Sequence, residues 1–401
     1  MNADAQPSRR GFLRASCRFC SGVAGMFSGA LAMTQERGST PPVEATELPA
    51  RFTRPAADTD EGGLWALMDR WEARLRRSPF VVNDDALNKY LQDMICRLNS
   101  EHCPDIRVHV MRTPWFNASM APNGLMQVWS GLLLRVENDA QLAAVIAHEL
   151  GHYLERHSVE RMRDWRARAA WAQWALPLGS VGQLAHLGLE ASAYAFTRAQ
   201  EASADRMGVR LMQRAGWDGR QAAQVWDDLL AELKVTKGED AGKRSPLFAT
   251  HPPTVARRNE LLRLAGDVPG RADQAGLSAV LTRHRFGWLN DEVKRGQFEE
   301  SLVLFNRLLK AKSEDADVLF ARAEVYRSRG GDTDLRSALD DLERVSRLPG
   351  APAEAFRSLG LIYKRQSAAP AALRAFERYL ALAPDAGDAG LIKSYVTELK
   401  P

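Results

Sequence analysis

The segment Ala147-His148-Glu149-Leu150-Gly151-His152 reads H-E-x-x-H inside an apolar run. Residues four apart on a helix share a face, so the two imidazoles lie one above the other. Placed so, they can share one tetrahedral zinc ion, one per chain. Glu149 is then positioned to take a proton from the metal's water ligand. A surface helix with two solvated histidines is the other reading, and the apolar Leu142, Val145 and Ile146 before the motif argue against it. A hydrolytic zinc site needs a third protein ligand. In Arg198–Asp205, Glu201 and Asp205 are also four apart. Glu201 can complete a two-His-one-Glu set that leaves a fourth position for water. Asp205 can accept a hydrogen bond from the free ring nitrogen of a ligating histidine. Read alone, this pair fits a solvated acidic face at least as well, because charged helix residues usually face water.

The elements that must carry these groups follow from pattern. Asn138 and Gln141 have capping-box spacing, and Asp139 suits the positive end of a helix. The run 141–156 keeps one apolar face, then turns polar at Glu155, Arg156 and His157. Ala202, Ala204 and Gly208 are small enough to let the acidic helix approach the histidine helix. Upstream, Leu64, Leu67, Met68, Trp71 and Leu75 repeat with helical period within 63–102, while Ile106, Val108 and Val110 alternate as in a half-buried strand. Asn117–Ser119 and Leu125–Trp129 read as two further short strands. The tryptophan- and leucine-rich stretch 165–196, broken by Pro177 and glycines, reads as helix–loop–helix, a lid over the cleft. Its aromatics fit buried core better than a membrane-facing patch.

Taken together, H-E-L-G-H at 148–152, R-x-x-E-x-x-A-D-x-x-G from Arg198 to Gly208, and Ala215-Gly216-Trp217 resemble a zinc metallopeptidase family. That family includes the CAAX prenyl protease, HtpX and the periplasmic BepA-type proteases, and the chain is most similar to the last. The resemblance covers about residues 65–265. Asn117-Ala118-Ser119 with Pro122-Asn123-Gly124 resembles the family's edge strand, which implies that a substrate strand pairs near Asn117 and Ala118. Asn123 stands where a second glycine is common, a departure that bears on the geometry of that strand. Thr250-His251-Pro252, with Arg257 six beyond the histidine, resembles the family's downstream element. The likeness to the BepA-type proteases implies that a neutral His251 can fill zinc's fourth position and displace water; a histidine that caps a helix or supports a metal ligand from behind is the other reading. Arg257 is a candidate to stabilise the oxyanion, or else a structural ion pair with a helix carboxylate. The resemblance also implies surveillance of outer-membrane proteins.

Composition is that of an ordinary globular protein: 401 residues, 45% hydrophobic, 26% charged. The net charge of +4 suits peripheral contact with an anionic membrane surface but gives no nucleic-acid signal. Ser8-Arg9-Arg10-Gly11-Phe12-Leu13-Arg14 matches a twin-arginine export signal, with Ala30-Leu31-Ala32 as a cleavage site. The alternative is an uncleaved anchor. The expected organisation is a signal peptide over 1–32, a linker over 33–62, a peptidase domain over 63–267 and a repeat domain over 280–401. In the last, Phe356, Leu359, Gly360, Tyr363, Ala372, Phe376 and Pro384 fall at tetratricopeptide positions. Less regular units stand before it, and 388–399 reads as a capping helix. In a periplasm, Cys96 and Cys103 either bond or stay reduced; spacing alone does not decide.

The fold class expected is mainly α (α+β): a helical metallopeptidase domain with a small sheet, then an α-solenoid. The function expected is an exported, periplasmic zinc endopeptidase acting on misfolded envelope proteins, its repeats recruiting polypeptide substrates or an envelope assembly partner. The second reading is an assembly chaperone whose protease site is latent.

Overall fold

The computed structural model describes residues 48–164, 196–235, 251, 254–273, 275–331 and 333–400. The expected signal peptide, half of the linker and most of the helix–loop–helix at 165–196 lie outside these residues. Thr59 accepts a hydrogen bond from Gly62 N to cap α1 (Asp60–Leu75), and Asp84 accepts from Ala86 and Leu87 to cap α2 (Asp85–Leu98). Cys96, in the last turn of α2, is joined by a disulfide to Cys103 just beyond the helix, their Cα atoms 4.8 Å apart. Three short strands follow: β1 (Arg107–Met111), β2 (Ala118–Met120) and β3 (Leu125–Trp129). Their order is β1-β3-β2, with β1 parallel and β2 antiparallel to β3. Gly124, at φ +85°, makes the turn between β2 and β3, and a Cβ there would lie 2.1 Å from Asp105 O.

After the short α3 (Ser130–Arg135), the histidine helix α4 (Asp139–Leu154) starts at Asn138, whose side chain accepts from Gln141 N. Nearly every residue of α4 is buried. Residues 157–164 resume helical structure after a break. The acidic helix α5 (Arg198–Arg214) has a full capping box at Thr197 and Gln200. It packs hard on α4, because a Cβ on Gly151 would sit 2.8 Å from Ala204 O and one on Gly208 would sit 3.1 Å from His148 N. Gly151 and Ala204 thus form the close contact, while Ala202 is only half-buried. The helices α6 (Arg220–Lys234) and α7 (Val255–Ala265) pack on each other and on this pair.

The C-terminal helices are α8 (Ala275–Lys294), α9 (Phe298–Ala311), α10 (Ala316–Arg329), α11 (Asp334–Ser346), α12 (Ala353–Arg365), α13 (Ala369–Leu382) and α14 (Ala389–Leu399). From α9 onward each packs on the next. A Cβ on Gly360 would lie 2.4 Å from the Phe376 ring, so α12 and α13 approach as closely as they do because that residue is glycine. The architecture is mainly helical with one small sheet, as the pattern predicts. Among the described residues, no helix is long and apolar enough to cross a membrane.

Three details depart from the sequence-based expectation. The strand predicted at Asn117–Ser119 is Ala118–Met120. Residues 48–59, inside the expected linker, dock on the body instead of spanning a gap. Phe52 packs edge-on against His102 and Tyr153, Pro49 O lies 2.7 Å from His102 Nε2, and Arg51 pairs with Asp105. The third is the boundary at 267–280. Residues Leu48–Pro401 form one compact unit, and a single apolar core runs from Leu87 through Leu150, Trp217 and Trp288 to Leu359. A cut at 267 would pass through that core.

Candidate metal centre

His148 and His152 leave the buried face of α4 one turn apart, and Glu201 reaches them from α5. His251 comes in just ahead of α7. One ligand atom from each of these four residues falls within 4.8 Å of all the others. His148 Nε2 is 3.2 Å from His152 Nε2 and 3.2 Å from His251 Nδ1. Glu201 Oε1 is 2.8 Å from His251 Nδ1 and 3.3 Å from His152 Nε2. Tetrahedral ligands about 2.0–2.1 Å from zinc stand about 3.3–3.4 Å from one another. The spacing of the lone pairs therefore fits one such ion, and the donor set of imidazoles and a carboxylate suits it chemically.

Glu149 is buried beside this cluster, with Oε1 3.6 Å from His251 Nε2. Burial raises its carboxyl above the usual range, against the pull of His251 and His148. A raised value suits a base that must later give its proton back. Burial alone would raise Glu201 too, but hydrogen bonds with His152 and His251 outweigh it and hold that carboxylate well below its usual range.

The remaining partners orient these groups. Asp205 Oδ1 lies 2.9 Å from His148 Nδ1. Arg257 grips Asp205 with two bonds of 2.9 and 2.7 Å and places Nη1 2.5 Å from Glu201 Oε2. Nε and both terminal nitrogens of Arg257 thus face helix carboxylates. This arrangement favours the ion-pair reading of Arg257 over a role at the oxyanion.

The outer edge of the sheet beside these helices is β2. Asn117 O accepts from Trp129 N and Ala121 N donates to Leu125 O, so these residues spend backbone groups on β3. Alternation along an antiparallel pair then leaves the N–H and C=O of Ala118 and Met120 facing the outer edge of the sheet. Of the two residues expected to meet a substrate strand, Ala118 faces the edge, whereas the carbonyl of Asn117 is used inside the sheet. Asn123, the departure noted above, is buried and ties the turn to α1 through Asp69 at 2.8 Å. Along this edge runs a groove lined by Met68, Trp71, Met120, Leu125 and Met162. Trp71, one of the residues on the predicted helical stripe, is 46% exposed there. A second, small recess opens at His148 and Glu149 and is walled by Phe116, Val145, Met212, Val225 and Trp226.

Two features escape the sequence reading. His157, expected on the polar end of the helix, is buried with Nδ1 2.9 Å from His152 Nδ1. The apolar recess draws on residues from positions 116 to 261, and local sequence carries no signal for it.

With this geometry in view, comparison with known proteins is decisive for the class. The model of peptidase family M48 matches residues 82–265. This part of the chain is an M48 peptidase domain. The beta-barrel assembly-enhancing protease of Escherichia coli strain K12 is 28% identical over 228 residues, 52% of this chain and 45% of that protein. A putative beta-barrel assembly-enhancing protease of Vibrio cholerae serotype O1 is 30% identical over 202 residues, 46% of this chain and 40% of that protein. The mitochondrial metalloendopeptidase OMA1 of Schizosaccharomyces pombe is 34% identical over 152 residues, 37% of this chain and 44% of that protein. The matched stretch spans less than half the length of each of these relatives. The match to the M48 model takes in α2 through α7, and so every residue of the candidate centre.

Proposed function

We propose that the chain is a zinc-dependent endopeptidase that hydrolyses extended polypeptide. One observation supports this reading: ligand atoms of His148, His152, Glu201 and His251 converge within 4.8 Å of one another beside a buried Glu149. Zinc bound there supplies a water ligand of lowered pKa and polarises the scissile carbonyl. Glu149 takes the proton of the attacking water and delivers it to the leaving amine. Ala118 and Met120 pair with the substrate backbone, and the recess behind Glu149 receives an apolar side chain. Asp205 orients His148, and Arg257 holds Asp205 and Glu201 in place. Digestion of casein, with bound metal measured alongside, tests this. Glu149→Gln should keep its zinc and lose activity by about 10²-fold or more. Cleavage by that variant at the wild-type rate rejects the mechanism.

His251 favours a second reading. Four protein donors make a closed site. His251 must then leave before water can enter, which makes the protease latent and leaves room for a main role as an assembly chaperone. His251→Ala should digest casein, or itself, faster than wild type, and the double variant with Glu149→Gln should not. Equal rates in wild type and His251→Ala favour a constitutive peptidase. Zinc bound with no cleavage in any form shifts weight to the chaperone.

The cellular setting follows from two supports. The twin-arginine pattern at Ser8–Arg14 supports export to the periplasm. The names of the bacterial relatives support a role in beta-barrel assembly. Consecutive helices over α9–α14 and the tetratricopeptide spacing support a 280–401 module that recruits clients or an assembly partner, with peripheral membrane contact through the modest positive charge.

A further inference from the structure

A ligating histidine offers the metal a lone pair on one ring nitrogen only if the other nitrogen keeps its proton, and the partner of that second nitrogen decides the matter. For His148 the partner is the Asp205 carboxylate. For His152 it is another imidazole. Nδ1 of His152 faces Nδ1 of His157 at 2.9 Å, with the rings edge to face at 70°. On its far side, Nε2 of His157 lies 3.0 Å from Glu155 Oε2. Both imidazoles are buried, and the Phe196 ring stacks on His152 at 3.9 Å.

One placement of protons satisfies these contacts and leaves His152 Nε2 a free lone pair. His152 carries its proton on Nδ1 and donates it to His157 Nδ1. His157 must then carry its proton on Nε2 and donate it to Glu155. The reverse donation would put the proton of His152 on the nitrogen that faces the metal centre.

The chain takes an unusual path to bring these groups together. Five residues along a continuous helix lie about 140° apart around the axis, so His157 could not meet His152 on an unbroken α4. Arg156 adopts φ +58°, outside the range most side chains prefer, and turns the chain back at that point. His157, the first residue of the next helical stretch, returns over the ring of His152.

We propose that His157 is the positioning residue of His152, fixing its tautomer and ring orientation for the metal, and that Glu155 fixes the tautomer of His157 in turn. The inference rests on the metal-centre reading above. The two histidines of the motif are then oriented by different devices: one directly by a carboxylate, the other by a neutral imidazole wired to a carboxylate.

Zinc affinity of the full chain, measured by competition with a fluorescent chelator, tests the relay, with circular dichroism to check folding. His157→Leu keeps apolar bulk but has no acceptor, and should weaken zinc binding by about 10–100-fold. His157→Asn places an amide oxygen near the position of Nδ1 and should recover most of that loss. Wild-type affinity in His157→Leu overturns the proposal, and so does His157→Asn binding as weakly as His157→Leu. Should His157→Leu fail to fold, Glu155 decides. Glu155→Ala should weaken zinc binding while Glu155→Gln, which still accepts, should not; equal affinities overturn the relay. His152→Ala separates the two levels of the argument, because undiminished zinc in that variant overturns the metal centre itself.

Discussion

Two of the buried polar clusters among the described residues are built on opposite rules. In one, Arg135 of α3 sits between Glu232 of α6 at 2.8 Å and Glu292 of α8 at 2.9 Å, all three side chains at most 5% exposed. Arg295 and Ser301 add bonds to Glu292, and Arg307 adds bonds to Glu232 and Asp228. Each carboxylate there meets a guanidinium, as buried charges must. In the other cluster, three imidazoles and a carboxylate turn lone pairs toward one point. Opposite charges that pair off form structure. Lone pairs that converge from three segments form a place for a cation. The first cluster fastens the M48 segment to the C-terminal helices, and the second does the chemistry proposed for it.

The comparison can be broken at the paired cluster first, where the largest change in stability is expected. Arg135→Met leaves Glu232 and Glu292 short of a buried partner and should cost about 3–5 kcal/mol in urea unfolding. Zinc content of the folded variant should not change. A loss of zinc at unchanged stability would mean that the two clusters are one functional system.

A smaller effect is expected where charges pair nearer the surface. Burial pushes the Glu72 carboxyl up, but its hydrogen bonds with Arg107 and His109, with Arg76 nearby, bring it down to about 2. A carboxyl lowered on folding adds stability above its unfolded value, near 4.5, and that contribution fades as pH falls toward 2. Glu72→Gln should therefore melt lower than wild type at pH 6, by about 2–4 °C, with the gap closing in acid. A gap that stays constant from pH 6 to pH 3 contradicts the assignment.

The two clusters also differ in how far sequence reveals them. His148, Glu149 and His152 are legible because helix geometry turns a spacing of four into a shared face; Glu201 and Asp205 share a face by the same spacing, but that spacing alone fits a solvated acidic pair as well. His157 is not, since its approach depends on a helix break at Arg156 that no spacing announces. The Arg135 cluster is silent in sequence, because its partners stand 97 and 157 residues away. The alternation at Ile106, Val108 and Val110 marks a strand, yet the parallel pairing of β1 with β3 is a tertiary outcome. Gly360 and Phe376 fall at the positions the repeat reading expects, and the Phe376 ring fills the space a side chain at 360 would take. The continuous core past residue 267 is hidden by the change of pattern there, which suggests a seam where packing has none.

The central claim is that lone pairs from His148, His152, Glu201 and His251 make one zinc site. Elemental analysis of the purified full chain after dialysis against excess zinc, then against metal-free buffer, tests it directly. The account predicts one zinc per chain in wild type and in Arg135→Met, and a large loss in His148→Ala, His152→Ala and Glu201→Ala. A wild-type chain without zinc, or the same zinc content in all three ligand variants, would contradict it.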